Sequence, residues 1–367
     1  MCQSNNQSIP DQHDTIRKSS SSHLERLSTD VSTDSNSNEA DMRNKAFESY
    51  VSSIKSFIAV VFVSVAVMEF SQWFPFNIPG VASAAVKTYI PAGFRYDNEH
   101  SRFDNTAWTY NTDYLLTVVM IYLAYKCFKA NSMDGCPIRN SASLRLRVYS
   151  ASLLICYGAS TLAGGWAHQH FTSIDSLNTL RFRLFWIVCV GNVSFASCYM
   201  GLIGREVQRV FGIKGAVPLG PWWFWPMYGT YMAIATALGY ISFKRPACDI
   251  FIAGITQFPT TFYCLLALGL RSWPSTSTTG TSTHSSSKKS AIDLVSRCYR
   301  IMYYIGFIGN APLLPMYPLL VQYSGMSLAG INTLLHTWLM VMWGFQGISL
   351  LHLCNAISNS EPKVATD

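Results

Sequence analysis

The sequence predicts an all-α membrane protein, with one N-terminal transmembrane helix followed by a seven-helix transmembrane core. Only 13% of its 367 residues are charged, whereas soluble domains carry about a quarter. The mean hydropathy is positive, and several apolar runs reach the roughly 20 residues that a helix needs to cross a bilayer core. Aromatic residues make up 14% of the chain, as expected where aromatic belts mark membrane interfaces.

The part of the chain before the core changes from polar to apolar and back. Residues 1–45 are rich in Ser, Asn and Asp, and they predict a disordered cytoplasmic tail because they lack apolar surface to bury. A first transmembrane helix is expected within residues 46–75. Residues 76–112 contain Pro and Gly and predict a long non-cytoplasmic loop that caps the outer face.

The predicted core occupies residues 113–352 and ends in a short tail at 353–367. A Ser/Thr-rich stretch at 271–290 predicts a flexible cytoplasmic linker within it. Seven apolar segments account for the seven helices, at 113–128, 147–170, 182–203, 222–243, 248–270, 299–323 and 327–352.

Basic residues are concentrated in alternate loops. They are frequent in the N-terminal tail and after the second, fourth and sixth spans, and sparse in the other loops. The positive-inside rule therefore predicts that both termini are cytoplasmic. The net charge of +7 does not indicate nucleic-acid binding, because the basic residues are dispersed among short loops. The sequence does not indicate which membrane holds the protein.

Four ionisable residues are predicted to meet near the non-cytoplasmic face. Asp113 begins the second span, His168 and His170 end the third, and His336 lies early in the eighth. Asn332 precedes His336 by four residues and therefore shares its helix face. Asp and His side chains that converge from separate helices are suited to binding zinc, and Asp113 would then orient a ligand or a water molecule.

Each of these residues also has a simpler interpretation. Asp113 can cap its helix, because the run Asn111-Thr112-Asp113 is typical of a helix N-terminus. The histidines near Trp166 can act as interfacial anchors, and His336 can form a hydrogen bond to another helix. Intramembrane ionisable groups favour a functional role without fixing which role it is.

Small residues form one surface of the fourth span. They predict close helix packing there, because small side chains let backbones approach. The residues are Gly191, Ser194, Ala196, Ser197 and Gly201.

Three short motifs resemble those of an uncharacterised, mainly bacterial family of multi-pass membrane proteins. They are Asp113-Tyr-Leu-Leu116, Gly164-Gly-Trp-Ala-His168 and Asn332-Thr-Leu-Leu-His336. More distantly, the layout is similar to the superfamily of alkaline ceramidases and progestin/adipoQ receptors, which are seven-helix proteins with histidine-bound zinc. This resemblance covers about residues 112–352 and implies the same core fold.

The superfamily pattern is only partly present in this chain. Its Ser-x-x-x-His motif corresponds to Gly164 and His168, and its His-x-x-x-His motif corresponds to Asn332 and His336. Its aspartate corresponds to Asn178. Glycine therefore replaces the serine, and asparagine replaces one histidine and the aspartate.

These observations predict a polytopic membrane protein with a polar His/Asp pocket. If the chain is an enzyme, the resemblance implies a zinc-dependent hydrolase of lipid amides with His168, His336 and His170 as metal ligands. A non-enzymatic binding or sensing protein is the second alternative, and the replaced residues favour it. A small-molecule transporter is the third. The expected partners are membrane lipids and a lipid or small-molecule ligand.

Overall fold

The computed structural model describes most of the predicted core. The described stretches are 103–129, 142–211, 221–238, 253–254, 256–272, 295–310 and 323–360, with single helical positions between 41 and 66 and between 313 and 320. Most of the predicted tail, most of the first transmembrane helix, most of the following loop and most of the linker lie outside the described residues. The chain divides into two compact units, Met1–Ser52 and Ser53–Asp367, and all the helices below belong to the second.

The described part of the chain contains eight helices and no strand, which confirms the prediction of an all-α protein. The helices are α1 (Ala107–Lys129), α2 (Ala142–His170), α3 (Ile174–Leu177), α4 (Leu180–Phe211), α5 (Phe224–Leu238), α6 (Phe258–Ser272), α7 (Arg297–Ile308) and α8 (Leu328–Ser360).

Several helices extend beyond the apolar segments that predicted them, and α1 and α8 are the examples that bear on the site. α1 begins at Ala107, ahead of the predicted start at Asp113. Just before this start, the Asp104 carboxylate accepts hydrogen bonds from the Thr106 backbone amide (3.0 Å) and the Thr109 hydroxyl. α8 continues to Ser360. An apolar run marks only part of a helix, since backbone hydrogen bonding continues into polar turns at its ends.

Contacts between the helices fix their relative directions. α2 is antiparallel to α1, because Thr117 contacts Thr161 while Tyr114 contacts Gln169. α8 is parallel to α1, since the start of α8 contacts the start of α1 and Gly347 contacts Cys127. Equivalent contacts show that α4 is antiparallel to α2 and to α5 but parallel to α6. They also show that α7 is antiparallel to α8.

These directions create two chemically different ends. Asp113, His168 and His336 lie at the end that we call the histidine end. Arg145 and Arg209 lie at the opposite end, where α2 begins and α4 finishes, and we call it the arginine end. The histidine end is therefore built from the start of α1, the end of α2 and the start of α8.

The central core joins α1, α2, α4, α6, α7 and α8. Its best-defined contact is the parallel stack of Tyr157 on Trp343, with ring centroids 3.9 Å apart. Buried polar side chains are hydrogen-bonded across the helices: the Gln257 amide donates to the Val193 carbonyl (2.5 Å), and the Gln346 amide donates to the Gly306 carbonyl (2.8 Å). Such bonds are expected inside an apolar bundle, where an unpaired polar group is costly.

Two of the described helices are long and apolar enough to cross a membrane, by length and composition. They are α4, over Leu180–Arg209, and α8, over Leu328–Ala356. A shorter apolar stretch covers Phe258–Leu268 in α6. These helices agree with the expectation of a membrane protein.

Candidate functional site

The segment before α1 connects the histidine ends of three helices. The Asn105 side-chain amide donates to the carbonyls of His168 (2.9 Å) and Phe171 (2.6 Å), where α2 ends. These carbonyls have no partner within the helix, so Asn105 acts as a C-terminal cap for α2. The segment thereby holds the end of α2 against the start of α1.

Asp104 extends this connection to α8. Its carboxylate is almost fully buried and accepts hydrogen bonds from the Thr109 hydroxyl, the Thr106 backbone amide (3.0 Å) and the Asn332 side-chain amide (3.0 Å). Burial acts to raise the pKa of the Asp104 carboxyl, but these hydrogen bonds lower it by more. The pKa of Asp104 therefore lies below its usual value, and the group is ionised at neutral pH.

The backbone of Asp104 orients His168. The Nδ1 atom of His168 lies 2.6 Å from the Asp104 carbonyl oxygen, which can only accept, so we assign the ring proton to Nδ1. The ring stacks on Phe103 at 4.5 Å between centroids and meets the edge of Trp186 at 6.1 Å. The Nε2 atom of His168 is then left with a lone pair.

His336 is oriented in the same way by Thr112. The Thr112 hydroxyl has one proton and lies within hydrogen-bond distance of the Thr109 carbonyl (2.8 Å), so it accepts from Nδ1 of His336 (3.0 Å). The Nε2 atom of His336 then presents a lone pair to Asp113, whose Oδ1 lies 3.5 Å away. This separation is longer than an ordinary hydrogen bond, so neither group fully satisfies the other.

Asp113 carries the buried carboxyl group of the site, with 4% of its surface exposed. His336 lies beside it, with Nε2 3.5 Å from Oδ1. Gly164 and Gly165 let α2 approach closely, because a Cβ at Gly165 would lie 3.0 Å from the Asp113 Cβ, and one at Gly164 would lie 3.4 Å from Oδ2. The carboxyl group is thus enclosed by α2 and α8.

The structure brings together three of the predicted site residues. The rings of His168 and His336 are 6.4 Å apart between centroids, and Asp113 lies beside His336. Asn332, predicted to share the face of His336, reaches the same assembly through Asp104. We call Asp104, Asp113, His168, Asn332 and His336 the histidine site.

His170 and Asn178 are placed elsewhere. His170 is exposed and its ring packs against Trp166, with centroids 4.2 Å apart. Two residues along a helix correspond to about 200° of rotation, so His168 and His170 point in nearly opposite directions. Asn178 follows α3, where its side-chain amide donates to the Ile174 carbonyl (3.2 Å).

The alternative interpretation of Asp113 as a helix cap is wrong. α1 starts at Ala107, which places Asp113 inside the helix, and the Asp104 carboxylate lies just before its start. The sequence motif Asn111-Thr112-Asp113 resembles a cap, but a second polar run, Asp104-Asn-Thr106, lies one helical turn or more before it.

The described residues do not form a complete metal site. No group of three or more His, Cys, Asp or Glu side chains within the described stretches is arranged to hold a metal ion. His168 and His336 have the orientation typical of metal ligands, with Nδ1 donating to an oxygen and Nε2 bare. The third ligand proposed from the sequence, His170, is directed away from them. Within the described stretches, a zinc site here would need at least one ligand more than these residues supply.

Sequence reasoning missed Asp104, Asn105 and Trp186. A signal for the first two was present, because Asp and Asn just before a helix are typical capping residues. No local signal identified Trp186, since it reaches His168 only through the packing of α4 against α2.

Comparison of the chain with protein-family models, curated proteins and solved structures finds no match in any of the three.

Proposed function

We propose that the chain is a multi-pass membrane protein with a seven-helix transmembrane core formed by α1, α2 and α4 to α8. The support comes from the outward faces of these helices, each of which exposes large apolar side chains at helical spacing. A soluble monomer rarely exposes large contiguous apolar patches, whereas lipid tails would cover these faces. The exposed residues include Leu115, Val118, Tyr125, Ile155, Leu162, Leu184, Val188, Met227, Tyr231, Phe262, Leu266, Ile301, Ile305, Leu334 and Val341.

We infer that the arginine end is cytoplasmic and that the histidine end faces the other side. The basic residues of the described helices support this, because most of them lie near the arginine end. Those at the arginine end include Lys126, Lys129, Arg145, Arg147, Arg205, Arg209, Arg297 and Arg300. Arg181 and Arg183 lie near the histidine end, at the start of α4.

We propose that the histidine site binds the polar head of a lipid amide. The observation that carries the proposal is the gap between the Asp113 carboxyl group and Nε2 of His336, two buried polar groups whose 3.5 Å separation is too long for a good hydrogen bond between them. A buried polar group without a good hydrogen bond is unfavourable. A ligand hydroxyl placed between the two groups would form a hydrogen bond with each, and a ligand amide N–H would donate to one of them.

Trp186 adds a donor beside the same residues. Its indole Nε1 is buried and has no hydrogen-bond partner among the described residues. Its ring lies against Phe103, Phe182 and His168. A ligand carbonyl at this point would accept from Nε1, so the site offers acceptors for the hydroxyl or N–H groups of a lipid amide and a donor for its carbonyl.

The proposal predicts that His168 and His336 control lipid-amide affinity. The test titrates the purified, detergent-solubilised chain with a short-chain ceramide and follows its thermal unfolding, with a diacylglycerol of matched chain length as the ligand control. His168→Ala and His336→Ala are each expected to weaken ceramide binding about tenfold, the effect of losing one polar contact in a buried site.

His170→Ala is the matched control for this test. It removes a histidine from the same helix end, but its ring packs on Trp166 at the surface. We expect its ceramide affinity to equal that of the wild type. Equal weakening by all three variants, or unchanged affinity in folded His168→Ala and His336→Ala, would overturn the proposal.

A zinc-dependent lipid-amide hydrolase is the second candidate. The bare Nε2 atoms of His168 and His336 favour it, because metal-binding histidines usually donate their other ring N–H to an oxygen. The arrangement requires a further ligand beside Asp113 to complete a zinc site. Elemental analysis of the same samples discriminates the two: about one zinc per chain, lost in both variants and kept in His170→Ala, would favour the hydrolase.

A further inference from the structure

The hydroxyl oxygen of Thr333, near the start of α8, is buried and has no hydrogen-bond partner among the described residues. A hydroxyl can donate one hydrogen bond and accept two, and burying it unpaired is unfavourable. Most buried polar groups in folded proteins have a partner. A hydroxyl left unpaired at this position is therefore available to a ligand.

Other threonines in these helices bond their hydroxyls within the helix. The Thr117 hydroxyl donates to the Asp113 carbonyl (3.0 Å), and the Thr337 hydroxyl donates to the Thr333 carbonyl (2.7 Å). The carbonyl four residues earlier is a common partner for a threonine inside a helix. Thr333 does not form this bond. Its hydroxyl is therefore not committed to the helix backbone.

Thr333 is a neighbour of His336 on the surface of α8. Residues three apart on a helix have Cβ atoms about 5–6 Å apart. Successive residues are separated by about 100° around a helix, so His336 lies between Asn332 and Thr333. Asn332 is bonded to Asp104 on one side of His336, whereas the Thr333 hydroxyl is unpaired on the other. The histidine site therefore has an uncommitted polar group next to His336.

Thr333 also lies nearer the end of the bundle than His336. α8 begins at the histidine end, and three residues span about 4.5 Å along a helix axis. One ligand atom in the gap between Asp113 and His336 does not fill both positions, so a ligand that also bonds Thr333 carries a second polar group further out. A lipid amide of the ceramide type meets this requirement, because its primary hydroxyl is on the carbon next to the one that bears the amide.

We propose that Thr333 is a further ligand-binding residue of the histidine site, and that its hydroxyl bonds the outermost hydroxyl of a bound lipid amide. The inference rests on the proposed binding of a lipid amide at this site. Its consequence is selectivity: a lipid amide with a hydroxyl beside its amide binds more tightly than a simple fatty amide that lacks this group.

The test compares two ligands on the full chain in detergent. They are a short-chain ceramide and its analogue in which hydrogen replaces the primary hydroxyl, and affinity is measured from the ligand-dependent rise of the unfolding midpoint. The wild type is expected to bind the ceramide about fivefold more tightly than the analogue, the effect of one neutral hydrogen bond. Thr333→Val is expected to bind both ligands with equal affinity.

Thr337→Val is the matched control. It makes the same substitution one turn further along α8, but the Thr337 side chain is exposed and its hydroxyl is already bonded to the Thr333 carbonyl. This variant should keep the preference of the wild type for the ceramide.

The stability of the ligand-free protein separates ligand binding from a structural role. Thr333→Val removes a buried hydroxyl that makes no hydrogen bond, so its unfolding midpoint without ligand should equal that of the wild type or lie slightly above it. A lower midpoint together with an unchanged ligand preference would show that Thr333 serves helix packing, and it would overturn the inference.

Two further outcomes would overturn the inference alone. A wild type that binds both lipids equally does not recognise the primary hydroxyl, and a Thr333→Val variant that keeps the preference recognises it through another residue. Binding of neither lipid by the folded wild type would overturn the proposed function, and the inference with it. Loss of selectivity and loss of binding therefore distinguish the two failures.

Discussion

Replacement of Asp104 by alanine is expected to lower the free energy of unfolding by about 3 kcal/mol, because it leaves buried donors without an acceptor. The Thr109 hydroxyl and the Asn332 amide both donate to this carboxylate, which joins α1 to α8. Thermal unfolding in detergent should show a midpoint lower by about 5 °C or more. The same variant should also weaken ceramide binding, since the segment around Asp104 positions His168.

Asp175→Ala is the control for this prediction. Asp175 is also an acid at the histidine end, but its side chain is exposed in the first turn of α3. Its replacement should change the unfolding free energy by less than about 1 kcal/mol. If Asp104→Ala unfolds at the same temperature as Asp175→Ala, the connection through Asp104 does not stabilise the histidine end.

The lowered pKa of Asp104 also predicts a pH dependence. A carboxyl whose pKa is lower in the folded than in the unfolded state stabilises the fold above its unfolded pKa, and this stabilisation disappears as pH falls through the folded pKa. The wild-type midpoint should therefore fall as the pH is lowered from about 5 towards about 3. Asp104→Asn should show a flatter profile, and an unchanged profile would contradict the assignment.

The second large effect is expected from Gly229→Ala, at the contact between α5 and α4. A Cβ at Gly229 would lie 2.7 Å from the backbone nitrogen and 2.9 Å from the Cα of Cys198. Backbone atoms cannot rotate away, so α5 would have to move outwards. We expect a loss of about 3 kcal/mol, at the upper end of the usual cost of overpacking, measured as a lower unfolding midpoint.

Gly191→Ala, on the partner helix α4, is not expected to destabilise the protein. A Cβ at Gly191 meets no atom within 4 Å, so there is no steric cost. Alanine has a higher helix propensity than glycine by about 1 kcal/mol, and the variant should be neutral or slightly more stable than the wild type. If Gly191→Ala destabilises the protein as much as Gly229→Ala does, the steric contact between α5 and α4 is not the cause of the stability loss in Gly229→Ala.

The helical composition of the core could be predicted from the sequence, because apolar runs separated by polar loops report local structure directly. The small-residue surface of the fourth span was also a useful signal: Ser194 and Ser197 are fully buried, and Gly201 lies directly beneath the Trp225 ring. Gly191 belongs to the same sequence pattern, yet its position is open. Sequence spacing identifies a helix face but not where a neighbouring helix crosses it.

Part of the histidine site was also predictable. Asn332 and His336 share a face by their four-residue spacing, and both take part in the site, through Asp104 and Asp113 respectively. His170 was proposed from its nearness to His168 in the sequence, but helix geometry separates the two rings. The role of Asp104 could not be inferred, because its partner Asn332 is 228 residues away.

The most direct test of one shared ligand site is a double-mutant cycle on ceramide affinity. His168 and His336 are 6.4 Å apart between ring centroids, and residues at this distance that contact the same ligand should give non-additive effects. We expect the double alanine variant to bind ceramide about as weakly as the weaker single variant, with a coupling of about 1 kcal/mol or more. If the fold-losses in ceramide affinity of the two single variants multiply in the double variant, the two histidines do not share a ligand site.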